Sequence, residues 1–400
     1  MARAFEGIRV VDFTQVLSGP YMTSLLAQEG ADVVKIEAPG QGEDNRGGGD
    51  QMRNRMIPSK YTDIDMGSAF LALNPGKRSV AIDLKSEEGR RIAHRLIETA
   101  DVVAQNFRGG VAERLGLGWE DVRAIKPDVV YCQITGYGAT GPRSREGAYD
   151  GAIQAASGMM STNGSPETGS MRTGYFPVDL FTGASAAYAV AAALFRRERT
   201  GEGQYLDIAM LDAALNIQAP SIAQWTVDGN PGGLIGNSSA THLPTANSFE
   251  CSDGTVLMSA TMQTHVQALF EEMGLGHLLD DPRFADSKAR IANRELVDRT
   301  LREAFLGDTA ANWAKRLGAR GVPISRVNSI PEAVAEPQLA HRGSLAEVAA
   351  PRGFDGPVRL AMAPYRSAAD GPTIDRPPPG LGEHTEEVLR ELGITPGAPV

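Results

Sequence analysis

The feature that most restricts this chain is an alternation, along its first half, of short apolar runs with longer amphipathic stretches. Residues 8–13 (IRVVDF), 31–37 (ADVVKIE), 79–84 (SVAIDL), 101–107 (DVVAQNF) and 128–135 (DVVYCQIT) are each of strand length and apolar at their centres. Between them, 20–28 and 86–99 have helical spacing. The first opens on a proline and the second on acidic residues that suit a helix start. Strands apolar throughout have no face to give to water, so they require covering layers on both sides. The pattern therefore predicts an α/β fold built on a parallel sheet. Ligands of such sheets sit beyond the carboxyl ends of the strands.

Polar residues gather near the expected strand ends. Gln15, Val16, Leu17 and Ser18 follow the first strand, and Arg46 lies in the loop after the second. Lys77 and Arg78 precede the third, and Asn106, Phe107 and Arg108 follow the fourth, with Arg114 close behind. Basic and amide groups along one sheet edge can hold phosphates. For any one of them alone, solvated surface charge is the plainer reading.

One carboxylate stands out. In 174–212 (GYFPVDLFTGASAAYAVAAALFRRERTGEGQYLDIAMLD), Asp179 follows a Tyr-Phe-Pro-Val turn and opens a long helix of small residues, with a strand-like run at 204–209 beyond it. A carboxylate on a rigid helix start can be presented to a ligand as a nucleophile. Spacing alone favours a simpler role, that of a helix N-cap accepting from free backbone N–H groups.

Composition narrows the function classes. Four hundred residues exceed one ordinary core, so two domains are expected. A net charge of −10 argues against a nucleic-acid partner. Cys132 and Cys251, the only two cysteines, have no metal or disulfide spacing, and Cys132 lies in an apolar run that suits a core residue. The six histidines show no paired spacing, so no metal is expected. No signal-peptide segment and no stretch of membrane-span length is evident, which makes the cytoplasm the expected location and excludes a membrane partner.

From about residue 222 the texture changes. Residues 226–244 are rich in Gly, Asn, Ser and Pro and read as loop, 247–261 as a hairpin turning at Asp253-Gly254, and 263–273, 290–306 and 310–320 as helices. Residues 356–363 suggest one more strand, 376–380 an extended segment, and 384–392 a short helix. The expected layout is 1–221 as the sheet domain, 222–330 as a smaller α+β domain with linkers, and 331–400 returning to the first. Residues 136–141 (GYGATG) fit a dinucleotide fingerprint, but Pro142 and the polar run after it belong to a loop, not to a helix start. A nicotinamide dehydrogenase would rest on that motif alone.

Several segments, in order, resemble family III CoA-transferases: 7–20 (GIRVVDFTQVLSGP), 30–37 (GADVVKIE), 74–85 (NPGKRSVAIDLK), 106–107 (NF), 136–142 (GYGATGP), the Asp179 segment, 281–284 (DPRF), 290–294 (RIANR), 321–323 (GVP) and 378–384 (PPGLGEH). This resemblance implies a Rossmann-like large domain, a smaller second domain and two interlocked subunits forming a homodimer. It implies CoA transfer from an acyl-CoA donor to a small carboxylic acid, through an aspartyl mixed anhydride and an aspartyl-CoA thioester at Asp179. Coenzyme A is then a substrate, and no tightly bound cofactor is expected.

The resemblance also implies a CoA path along Gln15, Val16, Leu17 and Ser18, and contacts from Lys77, Asn106, Phe107 and Arg114. It places Tyr149 and Gln154 near the reacting carbonyl. Ala38 stands where some members carry a basic residue, for which Arg46 or Arg78 could substitute. The loop 236–244 differs from the glycine-run lid of the formyl-CoA enzyme, which makes His242 a candidate substrate contact, with an ordinary loop histidine an equal reading. Two rivals share the fold. An α-methylacyl-CoA racemase needs a His-Asp pair where this chain has Tyr149-Asp150, and a phenol is a poor base near neutrality. A non-catalytic acyl-CoA-binding protein would bind CoA without turnover.

Overall fold

A computed structural model describes residues 3–42 and 45–395. The chain divides into two compact units. The first runs to Met159, resumes over Arg172–Pro231 and takes up the chain again from Gln338, while the second holds Met160–Met171 and Gly232–Pro337. These divisions fall later than the changes of sequence texture. The helix Ala219–Asp228 carries regular structure into the stretch read as loop, and the capped helix Ile330–Val334 prolongs the second unit.

The first unit is built on six parallel strands: β1 (Arg9–Asp12), β2 (Asp32–Glu37), β3 (Arg78–Ala81), β4 (Val102–Gln105), β5 (Val130–Thr135) and β6 (Gln204–Ala209). Their order is β3-β2-β1-β4-β5-β6, so the winding reverses between β1 and β4. This is the doubly wound order in which ligands seat at the reversal. Successive residues of one strand feed opposite layers. Val10, Val33 and Val102 join Met22, Leu26, Cys132 and Val190 on one face, whereas Val11, Val34 and Val103 join Ile92, Leu96 and Tyr131 on the other. Two-sided burial is what the apolar runs require, and Cys132 is a core residue.

Of the helices α1 (Ser18–Gln28), α2 (Glu87–Glu98), α3 (Asp150–Ala156), α4 (Pro177–Thr200) and α5 (Met210–Ile217), α2 covers the sheet face of Val11, Val34 and Val103, and the other four position the site. Ser86 caps α2 by accepting from Gly89 N at 2.8 Å. α4 is 24 residues long and apolar enough to span a membrane by length and composition, contrary to the reading that no stretch reaches that length. Its buried residues, among them Ala186, Val190 and Ala193, pack into the first unit's core instead. α4 lies so close to α1 that a Cβ on Gly183 would stand 2.5 Å from the Ser18 carbonyl oxygen and 3.0 Å from the Tyr21 ring.

The second unit packs helices Gln263–Glu272, Arg294–Phe305 and Ala310–Ala319 with an antiparallel sheet of β7 (Ala246–Glu250), β8 (Thr255–Ser259) and β9 (Ile324–Arg326). The β7–β8 hairpin closes through Cys251 N donating to Gly254 O at 2.7 Å. The single helix read over 290–306 is two helices, Ser287–Ala292 and Arg294–Phe305. The break falls at Asn293, whose side-chain amide donates to Ala289 O at 2.9 Å and competes with the helical ladder. In the returning segment β10 (Leu345–Val348) pairs with β11 (Val358–Ala361), and the helix Thr385–Glu391 docks beside β3 through His384 N to Ser79 O at 2.9 Å.

Gly183 generates a direct prediction. Gly183→Val forces side-chain atoms against the backbone of α1, which cannot yield cheaply, and should cost about 1–3 kcal/mol. A urea denaturation midpoint equal to that of the parent would contradict the close helix contact.

Candidate active site

The loop after β1 is fixed at nearly every polar atom. Asp12 ends the strand wholly buried, accepting from Thr14 N at 2.9 Å, Thr14 Oγ1 at 2.5 Å and Thr23 Oγ1 at 2.7 Å. Lys35 Nζ donates to Thr14 O at 2.7 Å and pairs with Asp50 Oδ2 at 3.0 Å. Asp50 Oδ1 accepts from Val16 N at 3.0 Å. Asn106, just past β4, accepts from Gln15 N at 2.9 Å and donates to Gln15 O at 2.7 Å, joining the two loops at the winding reversal.

The fixation holds Val16 at φ 72°, a left-handed conformation that β-branched residues avoid. Such strain persists only where the surroundings over-determine it. Asp50 is itself located by Glu37, which accepts from Asp50 N at 2.9 Å and from Arg53 Nε and Nη2 at 2.8 and 2.7 Å. The Arg53 guanidinium lies 3.6 Å over the Phe70 ring.

Asp12, Glu37 and Asp50 are thus balanced by Lys35, Arg53 and Lys77 within one buried cluster. Burial pushes the Asp12 and Glu37 carboxyls up. The Lys77 and Lys35 ammonium groups overcome it at Asp12, and Arg53 brings Glu37 down to about 2. At Lys77 burial prevails over Asp12 and lowers the ammonium to about 8.

Asp179 is the third residue of α4. The capping role that spacing favours for it belongs to Asp150 at the start of α3. Asp150 Oδ2 accepts from Val178 N at 2.9 Å and Asp179 N at 3.1 Å. Its other oxygen accepts from Gln154 Nε2, and Gln154 is anchored to Thr173 by bonds of 3.0 and 3.1 Å. Freed from capping, the Asp179 carboxylate accepts on Oδ1 from Ser18 Oγ. It is 6% exposed. Burial, reinforced by the Asp150 charge and opposed by the Ser18 hydroxyl, raises it from 3.8 to about 6.

A cavity of about 360 Å³ opens here, walled by the loops that follow β1, β4 and β5. Gln15, Val16, Leu17, Ser18, Asn106, Phe107 and Tyr149 line it together with Asp179. The other sequence candidates lie elsewhere. Lys77 donates to Asp12 Oδ2 at 3.2 Å, Pro20 O at 2.9 Å and Asn74 Oδ1 at 2.9 Å, which occupies all three ammonium donors and leaves none for a phosphate. Arg78 sits at the amino end of β3, away from the carboxyl edge, paired with Asp32 at 2.6 Å, Glu387 at 3.0 Å and Glu391 at 2.5 Å. Gln154 is buried behind Asp150 and holds that residue, not a substrate. Arg46 and Arg114 are exposed and outside the cavity lining, and His242 belongs to the second unit.

Arg108, read from sequence as one of the basic groups at the strand ends, lines the cavity as well. Residues not singled out from sequence also contribute: Gln51 and Met210 line the cavity, and Asp150 supports it from behind. Lys35 and Glu37 carried a signal in the sequence: two charges spaced i, i+2 in an apolar strand share a face and demand buried partners. Among the described residues no cluster of His, Cys, Asp and Glu is placed to hold a metal.

Fold and site define an α/β enzyme with a buried carboxylate at the winding reversal of its sheet. The chain belongs to CoA-transferase family III, whose model matches residues 5–385. It is 34% identical over 395 residues to a succinate–glutarate CoA-transferase of Agrobacterium fabrum, covering 97% of this chain and 95% of that one. It is 36% identical over 401 residues to a succinyl-CoA:mesaconate CoA-transferase of Haloarcula marismortui, covering 98% of each. A crystal structure of a CAIB/BAIF family protein from Brucella suis superposes with a TM-score of 0.87 at 31% identity, covering 98% of this chain and all of the other.

The raised Asp179 carboxyl makes a stability prediction. Its folded value lies above 3.8, so between about pH 4 and 6 the folded state holds a proton that the unfolded state has lost. Ionisation therefore costs stability as pH rises through that window, with the full cost present above it. Asp179→Asn removes the charge and keeps an acceptor for Ser18. It should be more stable than the parent by about 1–3 kcal/mol at pH 8 and nearly equal to it at pH 4. Paired urea titrations check this, and an Asn variant no more stable at pH 8 would contradict it.

Proposed function

We propose that this enzyme transfers CoA from an acyl-CoA thioester to a small dicarboxylic acid, with Asp179 as covalent nucleophile. The observation that carries the reading is Asp179 itself. It is buried at the cavity, held by a neutral hydroxyl and not by a cation, and raised to about 6. Such a carboxylate is ionised at neutral pH yet poorly solvated, which favours attack on a carbonyl. The dicarboxylate class rests on the relatives, whose names specify succinate, glutarate and mesaconate.

In the proposed sequence Asp179 attacks the thioester carbonyl and expels CoA thiolate, leaving a mixed anhydride. The thiolate adds to the Asp179 carbonyl and releases the donor acid, leaving an aspartyl-CoA thioester. The acceptor acid reverses both steps. No net proton transfer occurs, so a dedicated acid–base pair is unnecessary. The pantetheine arm would follow Gln15–Ser18 and Asn106–Phe107, with Arg108 at the exposed rim available to a phosphate.

A racemase would need a second base. Asp150 commits its oxygens to the α4 start and to Gln154, which leaves the neighbouring Tyr149 phenol as a poor candidate. A homodimer belongs to the same proposal. Tyr188, Phe195, Trp225 and Val227 are exposed large apolar residues of the first unit, suited to burial by a second copy.

The test is CoA exchange between succinyl-CoA and a panel of dicarboxylates, with the enzyme digested after acyl-CoA treatment. An adduct on the Asp179 peptide is expected. Asp179→Ala should reduce exchange to background, and kcat/KM should fall about tenfold per pH unit below about 6. Undiminished exchange by Asp179→Ala would overturn the proposal.

A further inference from the structure

Ser18 opens α1, is buried, and directs its hydroxyl at Asp179 Oδ1. Two helix starts bring these atoms together. α1 and α4 meet at Gly183, where no side chain would fit between the backbones, and the loop leading to Ser18 is anchored at Gln15 and Val16. The contact is therefore set by packed backbone and not by a flexible side chain.

We propose that Ser18 is a further catalytic residue: its hydroxyl reserves Oδ1, leaves Oδ2 to attack the thioester, and donates to the oxyanion that forms at Oδ1 when thiolate adds to the acylated aspartate. The inference rests on the CoA-transfer reading and deepens it. In the first step Oδ2 bonds to the thioester carbonyl carbon, the carbon–sulfur bond breaks, and CoA leaves as thiolate. In the second the sulfur bonds to Cγ and the π pair of the Cγ–Oδ1 bond moves onto Oδ1, where Ser18 Oγ–H meets it. Collapse re-forms the carbonyl and breaks the Cγ–Oδ2 bond, and the donor acid departs as its carboxylate with Oδ2. Electrons balance and the serine keeps its proton. A donor aimed beforehand at the place where charge develops lowers the barrier without reorganising.

The bond to Ser18 also favours the ionised aspartate, so its loss should move the acid limb of activity. Asp179 is met by Ser18 on α1 and Asp150 on α3, and Arg108, Glu146 and Tyr149 line the same cavity; only Ser18 is altered.

The experiment compares parent and Ser18→Ala enzymes for CoA affinity, kcat, pH dependence of kcat/KM and the intact mass of acid-quenched intermediates. The expected result is CoA binding within a few fold of the parent, kcat lower by about 10²-fold, an acid limb displaced to higher pH, and acyl-enzyme accumulating relative to enzyme-bound CoA. A folded Ser18→Ala enzyme with parental kcat and an unmoved acid limb would overturn the proposal. Should the alanine variant misfold, Ser18→Cys, close in size and a much weaker donor, carries the same comparison. Absence of exchange or of an Asp179 adduct in the parent would instead overturn the CoA-transfer reading.

Discussion

The buried charge cluster behind β1 is the constraint from which the site follows. Six ionisable groups share an interior where any one alone would be costly. Their geometry allows each a partner, and Lys35, Asp50 and Asn106 pass that order to the backbone of residues 14–16. Val16 is held left-handed as a result, and Ser18 is delivered to Asp179 from a loop with little freedom to move. Truncating one member would leave an unpaired buried charge and release the loop together.

A second support acts from the other side of the cavity. Asp150 takes up the free N–H groups at the start of α4, so the Asp179 carboxylate need not, and Gln154 and Thr173 hold Asp150 in place. Residues that sequence motifs associate with substrate thus differ in what they do. Some face the cavity, as Gln15, Phe107 and Tyr149 do. Lys77 and Gln154 instead hold Asp12 and Asp150, the supports behind it, and Arg78 is taken up by ion pairs elsewhere. The arrangement stores a cost in Asp179, a carboxylate kept from water with no cation beside it, and that cost is the physical source of its raised basicity.

Much of the sheet was legible because its strands are apolar on both faces, and the alternation with helices left few other topologies. The edges were read less well. A helix pattern over 290–306 concealed the break at Asn293, since the competing side-chain bond is invisible to periodicity. The stretch 226–244 reads as loop by composition, yet helix Ala219–Asp228 runs into it. At the site, Asp179 could be picked out, but its role against the capping alternative depended on Asp150, 29 residues earlier and brought near only by folding. Lys77 and Arg78 look alike in sequence. One, just before β3, is consumed by the interior, and the other, the first residue of that strand, by ion pairs at its amino end, partners that only folding brings to each.

The central claim is that Asp179 exchanges one of its own oxygens with the acids it serves. The most direct measurement is turnover with an acceptor acid labelled in both carboxylate oxygens with oxygen-18, followed by mass analysis of the peptide that contains Asp179. The account predicts heavy oxygen in that carboxyl group after turnover and none without acyl-CoA. A peptide that stays unlabelled while CoA is exchanged many times would contradict it.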